Sequence, residues 1–179
     1  MTQTLTLRLV APKSAETPQQ CLEQLYRDCR DDLYAYVASL LGDRSLAEDV
    51  TALAFERAFR RRRLFDARRG SERAWLFGIA RNAALDELRR RKRTRTLIGE
   101  PEDLGNVGGD HTEAVLRRAM LSKALAALTL RERELIALKF HAGLANPDIA
   151  RVIGVSESNA GTLLHRAITK LRKACDEQA

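Results

Sequence analysis

The chain carries 31 Lys and Arg against 24 Asp and Glu over 179 residues, a net charge of +7 at pH 7, with a sequence pI near 9.8. Such a basic balance favours a polyanionic partner, while the three cysteines, Cys21, Cys29 and Cys175, are too few and odd in number for a disulfide framework. No apolar run approaches the roughly 18 to 20 residues that span a bilayer, and no charged n-region leads into an apolar stretch, so the expectation is a soluble cytoplasmic protein without membrane insertion.

Residues 1–16 lack hydrophobic periodicity and are expected to fray. Thr17, Pro18 and Gln20 then mark a helix start: a capping hydroxyl, proline at the first helical position and Gln at the third. Leu22, Leu25, Tyr26, Cys29, Leu33, Tyr36, Val37 and Leu40 continue at helical steps and form one apolar stripe that Gly42 ends. Cys21 and Cys29 share a face of this helix. They read first as small core residues, with a redox or zinc switch as the minor reading. Ser45 and Glu48 form a predicted capping box for a second helix carrying Val50, Ala54, Ala58 and Phe59. A loop from Phe65 to Gly70 leads into a third helix headed by Trp75 and tailed by Arg89, Arg90 and Arg93.

Between Thr96 and Leu116 there is no Lys or Arg, whereas Glu100, Glu102, Asp103, Asp110 and Glu113 are acidic and Gly105, Gly108 and Gly109 loosen the backbone. This composition predicts a linker. Asp110 with Glu113 is a candidate cap for a helix bearing Leu116, Met120, Ala124 and Ala127. Thr129 and Glu132 form another capping box, ahead of Leu135, Ile136, Leu138 and Phe140, and two short helices flank Gly154. The expected fold class is all-α: a helical bundle and a helix-turn-helix domain, two small units joined by a flexible acidic linker.

The loop from Phe65 to Gly70 and the helix behind it combine cations with aromatics. Cations neutralise phosphates without reading sequence, and an aromatic at a loop–helix junction replaces the stacking partner of a base drawn out of a duplex. Trp75 alone reads as a core anchor; beside Arg68, Arg69 and Gly70 it reads as dual, one ring face packed and an edge shaping a base pocket. The run from Arg60 to Arg63 is either a solvated helix end, favoured by the macrodipole, or a contact to DNA or to a partner. Asp31 with Asp32, and Asp86 with Glu87, point about 100° apart on a helix and form no shared proton site. They read as surface or partner-facing groups, and no metal ligand set is expected.

Near the other end, Asn146 to Ser156 fits the first helix and turn of a helix-turn-helix. Ala150 admits a close second helix, Gly154 supplies a left-handed turn and Ser156 caps the second helix. Ala160, Leu163, Leu164 and Ile168 are expected inside. Glu157, Ser158, Asn159, Thr162, His165 and Arg166 then face a major groove and its phosphates.

With both segments, the chain resembles the extracytoplasmic-function sigma factors, the small two-domain class of bacterial RNA polymerase specificity subunits, over roughly residues 25–173. The most specific residues are Phe65, Asp66, Gly70, Ser71, Ala74, Trp75, Leu76, Ile79, Ala80, Arg81, Asn82, Asp86, Arg89 and Arg90. The resemblance implies a region 2-like domain at 17–95, the linker at 96–111 and a region 4-like domain at 112–175. It implies that Phe65, Arg68, Arg69, Trp75 and Asn82 form or flank a pocket for a flipped base of the promoter −10 element, with Arg81, Arg89, Arg90 and Arg93 on the DNA backbone. Leu41 to Ala58 resembles the polymerase-binding helix, with Glu48, Asp49, Glu56 and Arg57 as charged candidates. The implied partners are core RNA polymerase, through the clamp helices of its largest subunit and the flap of the second largest, promoter DNA, and an anti-sigma factor. Ala52 and Leu53 stand where the family usually has a polar pair, Gly161 and Leu163 where many relatives are basic, Glu72 in place of an aromatic and Gly78 in place of a basic residue.

The expected function is an alternative sigma factor that binds core polymerase, recognises −10 and −35 elements and promotes melting, with no cofactor and no catalysis of its own. The acidic linker is expected to lie against the basic face of the Trp75 helix in the free protein and to suppress DNA binding. A one-component regulator calls for a ligand pocket or an α/β receiver pattern, and neither is present in the sequence. A nuclease or recombinase calls for clustered carboxylates or paired cysteines, which are missing too. An RNA-binding antiterminator fits the charge equally well and stays open on composition.

Overall fold

Helices account for nearly all regular structure in the described residues, 18–98 and 113–177 of a computed structural model, and no strand occurs among them. Three helices build the first half: α1 (Pro18–Leu41), α2 (Arg44–Arg60) and α3 (Glu72–Ile98). Two single 3-10 turns, Arg62–Leu64 and Ala67–Arg69, bridge α2 to α3. Four helices build the second half: α4 (Glu113–Ala126), α5 (Leu130–Phe140), α6 (Asn146–Ile153) and α7 (Glu157–Asp176). The Thr17 cap, the fraying 1–16 segment, the Asp110 cap and the acidic stretch 99–112 lie outside the described residues, and α3 runs to Ile98, past the expected start of the linker.

The α1 stripe buries Leu25, Cys29, Leu33, Tyr36, Val37 and Leu40 against Ala47, Val50, Ala54 and Ala58 of α2 and Leu76, Phe77 and Ala80 of α3. Alanines dominate the α2 and α3 faces, so the backbones approach closely and a few large side chains fill the remaining space. Tyr36 and Phe77 meet as a tilted pair with ring centroids 5.4 Å apart. Full burial of each contributes about 1.5–3 kcal/mol. Tyr26 departs from the predicted stripe. It stays exposed and leans its ring on Phe55, centroids 4.8 Å apart.

Several local expectations are corrected by tertiary context. Asp43 caps α2, accepting the Leu46 N–H at 3.1 Å, where the sequence pointed to Ser45. Its other oxygen accepts from Arg91 of α3 at 2.6 Å, so a long-range partner holds the carboxylate at the helix end. Phe59 is 59% exposed and Phe140 65% exposed: each follows the last inward-facing turn of its helix, about 100° from the buried stripe. The Thr129–Glu132 capping box, the left-handed Gly154 (φ 73°) and the Ser156 cap, which accepts the Asn159 N–H at 3.3 Å, are present.

The two halves do not stand apart. α5 packs on α1, and α6 packs on α3. One continuous core runs from Leu25 through Phe77 to Leu138, Ile149 and Leu164. A smaller cluster of Leu128, Ile136 and Ala167 lies on the opposite face of α5. That helix is therefore buried on two sides, and Glu134 to Leu138 are all inaccessible.

Candidate nucleic-acid interface

The α2–α3 connection is built to hold a loop open at its tip. Asp66 accepts the Arg68 N–H at 3.0 Å and the Arg68 Nε at 3.1 Å. These bonds, the side-chain one first, hold its carboxyl below the ordinary range. Gly70 takes φ 146° and ψ 179°, a conformation essentially reserved for glycine, and turns the chain into α3. Ser71 then accepts the Ala74 N–H at 3.1 Å, capping the helix.

This turn places Trp75 and Phe65 as a tilted pair, ring centroids 5.5 Å apart and planes 48° apart. Both are half-buried, and Trp75 packs on the core with part of its ring left over. Together with Arg69, Asn82 and Ile79 they line a cavity of about 440 Å³. The cavity has room for more than one base, and its walls offer an aromatic face, an amide and a guanidinium, the groups that stack on a nucleobase, bond its edge and hold its phosphate.

The structure divides the expected DNA residues. Phe65, Arg69, Trp75 and Asn82 converge on the cavity; Arg68 stays at the exposed loop tip, paired to Asp66. Arg89, Arg90 and Arg93 line the exposed continuation of α3, with Arg89 bonded to Asp86 at 3.0 Å and Arg90 to Glu87 at 2.8 Å. The acids Asp86 and Glu87 thus belong to intrahelical pairs. Arg81 is not presented to solvent: its Nε meets Oε1 of Glu134 on α5 at 2.5 Å.

Glu134 is 3% exposed and also accepts from Arg131 at 2.8 Å. Arg131 continues to the Ile153 carbonyl at 3.1 Å, so the cluster ties α3, α5 and α6 together. The Tyr36 hydroxyl is buried beside this cluster. Burial, then the Glu134 charge, hold its phenol far above the ordinary range. A second tie is Arg73, which donates to the Ala142 carbonyl at 2.6 Å, pairs with Asp32 and lies 5.3 Å above the Phe77 ring. Asp32 is therefore an internal partner, whereas Asp31 remains exposed. A third is Ser71, whose hydroxyl donates to Asp148 at 2.9 Å. Sequence reasoning missed these ties: Glu134 sits in an Arg-Glu-Arg-Glu run that looks like any solvated helix face, and nothing near Arg73 or Asp148 in the chain marks their distant partners.

On α7, Glu157, Ser158, Asn159, Thr162, His165 and Arg166 all face solvent, while Ala160, Leu164 and Ala167 point inward. Ile149, Ala150 and Ile153 of α6 complete the helix-turn-helix core. Glu48, Asp49, Ala52 and Glu56 are exposed on the open face of α2; Arg57 is half-buried and Leu53 packs toward the core. The Arg60–Arg63 run splits: Arg60 pairs with Glu56 at 2.9 Å, and Arg62 is tucked against Glu72 at 3.0 Å. Cys29 is 2% exposed and burial raises its thiol, which fits the core reading. Among the described residues no group of three or more His, Cys, Asp or Glu is placed to hold a metal, and no helix is long and apolar enough to cross a membrane.

An aromatic-lined cavity at the α2–α3 turn, with Arg151 and Val152 of α6 in its wall, and an outward-facing helix-turn-helix together define a DNA-binding factor. Comparison with known proteins narrows the class. The Sigma-70 region 2 family matches residues 25–94, and the Sigma-70, region 4 family matches residues 118–171. The ECF RNA polymerase sigma factor SigL of Mycobacterium tuberculosis is 31% identical over 159 residues, covering 87% of this chain and 89% of that protein. BldN of Streptomyces coelicolor, also an ECF RNA polymerase sigma factor, is 32% identical over 160 residues, 87% of this chain and 61% of BldN. Among solved structures, the sigma factor RpoE in complex with the anti-sigma factor NepR from Bartonella quintana superposes with a TM-score of 0.77 at 23% identity, over 88% of this chain and 98% of that one. CnrH in complex with the cytosolic domain of CnrY gives 0.68 at 25% identity, over 91% and 92%. The chain belongs to the extracytoplasmic-function family of RNA polymerase sigma factors. It is an alternative sigma factor, and its role is transcription initiation.

Proposed function

We propose that residues 17–95 form the unit that engages core polymerase and the promoter −10 element, that 96–111 connect, and that 112–175 read the −35 element. The observation that carries this is the convergence of Phe65, Arg69, Trp75 and Asn82 around one cavity. A flipped base stacks on the Trp75–Phe65 pair, Asn82 bonds its edge, and Arg68 and Arg69 hold the adjoining phosphates. Arg89, Arg90 and Arg93 continue the backbone track along the exposed part of α3, and Arg81 joins it only when its pair with Glu134 opens. Capturing the base after it leaves the duplex traps the open strand, so melting needs no bond-making step and the factor supplies no catalysis of its own.

On α7, Asn159, Thr162, His165 and Arg166 meet base edges and phosphates of the −35 element, with Glu157 and Ser158 at the helix entrance. A single good base contact discriminates by only about 1–3 kcal/mol. Joining two weak readers on one polymerase raises their effective concentration and fixes their spacing. Glu48, Asp49, Glu56 and Arg57 are assigned to the polymerase clamp helices. Exposed Ala52, in place of the family's polar residue, leaves that contact to the flanking charges. The second unit is assigned to the flap of the second-largest subunit. A cytoplasmic location, and regulation by an anti-sigma protein, complete the reading; CnrH, at 25% identity, was solved with the cytosolic domain of CnrY.

The test is promoter-directed transcription. The purified chain with core polymerase is expected to yield discrete transcript starts on genomic DNA, preceded by two shared sequence elements. Core enzyme with Asn82→Ala is expected to keep the same starts while opening them more slowly. Equal opening by wild type and Asn82→Ala overturns the cavity assignment.

A further inference from the structure

We propose that Gly78 is a specificity-determining residue for base capture: the side chain it lacks leaves the cavity floor open between Trp75 and Asn82, so that a two-ring base enters as well as a one-ring base. The proposal rests on reading this cavity as the seat of a flipped promoter base. Ser71, Ala74, Trp75, Gly78, Ile79 and Asn82 line the cavity along α3, at the three- and four-residue steps that put side chains on one helix face. Gly78 is the bare position in the middle of that face.

Nothing in the fold itself asks for glycine there. Inside a helix glycine is less favourable than alanine, because its backbone loses more freedom on ordering. Gly70, in the same cavity wall, is fixed by its backbone at φ 146°, and an added Cβ would come 3.2 Å from Arg151 Nη1. Gly78 differs on both counts. It is not among the positive-φ glycines Gly42, Gly70, Gly143 and Gly154, and an added Cβ would meet nothing within 4 Å beyond its own stretch of helix. Position 78 lies more than a turn inside α3 (Glu72–Ile98), so it does not end the helix either. What the missing side chain leaves is cavity. Trp75 and Asn82 are seven residues apart, about 10 Å along the axis, and a long helical side chain leans over the turn on its N-terminal side. A side chain at 78 would therefore lie next to the Trp75 ring, where the second ring of a stacked purine has to go. A pyrimidine on the same ring face stops short of it. The helix thus gives up local stability, and the cavity keeps room for the larger bases.

The experiment pairs thermal melting of the free full chain with promoter opening by the chain on core polymerase. Gly78→Ala is expected to raise the melting temperature by about 2–4 °C, since alanine suits the helix and the space is open. Opening is read by permanganate footprinting on a promoter taken from the mapped transcript starts, with each non-template position of the −10 element set in turn to a purine, a pyrimidine or an abasic site. The captured position is the one where an abasic site slows wild type most. There, Gly78→Leu is expected to lower the ratio of purine to pyrimidine opening rates about tenfold relative to wild type, through overfilling of the space beside Trp75, and Gly78→Ala to lower it less. A general loss of activity cancels in this ratio. On the abasic template the variants are expected to open as wild type does. A lower melting temperature for Gly78→Ala means that the fold needs the glycine and overturns the proposal. An unchanged ratio in Gly78→Leu overturns it too, as does slowing of Gly78→Leu that persists on the abasic template. If no abasic site slows wild type, base capture in this cavity is itself rejected, and the size limit falls with it.

Discussion

The Ser71 hydroxyl donates to Asp148 at 2.9 Å while accepting the Ala74 N–H at 3.1 Å, so one oxygen both starts α3 and fastens α6 to it. Ser71→Ala removes the cap and is expected to destabilise the chain by about 1 kcal/mol. Asp148 keeps its bond to Arg151 at 2.6 Å, so no orphaned carboxylate adds to the loss. Urea unfolding followed by circular dichroism measures the difference; an unchanged midpoint means the cap is not contributing.

Gly70 lies in a backbone region that a side chain strains, at φ 146° and ψ 179°. Gly70→Ala is expected to cost about 1–3 kcal/mol. The contact with Arg151 is the lesser part, because the nearest atom belongs to the end of a flexible side chain. The same unfolding assay distinguishes the sources: adding Arg151→Ala should leave most of the penalty in place.

Asn82 is exposed, whereas Trp75 packs partly into the core. Asn82→Ala should therefore stay within about 0.5 kcal/mol of wild-type stability while slowing promoter opening about tenfold, the worth of one base contact. Trp75→Ala should lose both stability and opening, since base stacking contributes about 1–3 kcal/mol. Permanganate footprinting with core polymerase reads opening, and thermal melting reads stability.

Arg166 stands on the open face of α7 with Thr162 and His165. If it holds a phosphate, Arg166→Ala weakens −35 duplex binding across all sequences and lowers the slope of log affinity against log salt by about 1. Binding titrations over a salt series check this. A sequence-selective loss with an unchanged slope would move Arg166 from the backbone to a base edge.

Asp43 has its carboxyl held below the ordinary value of 3.8, first by the Leu46 N–H and then by Arg91. A depressed carboxylate contributes stability that is complete above its unfolded value and is lost as pH falls through the folded one. Asp43→Asn keeps a capping oxygen but does not titrate. The expected result is a smaller drop in melting temperature between pH 6 and pH 3 for Asp43→Asn than for wild type. An identical acid limb in both proteins would remove Asp43 from the acid response.

Local chemistry was legible wherever a signal sits within a few residues. The Thr129–Glu132 box, Gly154 and Ser156 could be read because each motif satisfies its own backbone groups. The aromatic cavity was legible in outline, since Phe65, Gly70 and Trp75 are set by one loop and one helix turn. Asp43 displaced Ser45 as a cap because Arg91, far away in sequence, holds its carboxylate in place.

What the sequence determined by itself is the run of helices, the Thr129 and Ser156 caps and the Gly154 turn, because helical period and capping are short-range properties of neighbouring residues. Only the tertiary structure decided that α5 and α6 close over α3. That closure depends on Glu134 meeting Arg81 across 53 positions and Asp148 meeting Ser71 across 77. No periodicity marks a carboxylate as internal: its worth is set by the partner that folding brings to it and by the water that is removed.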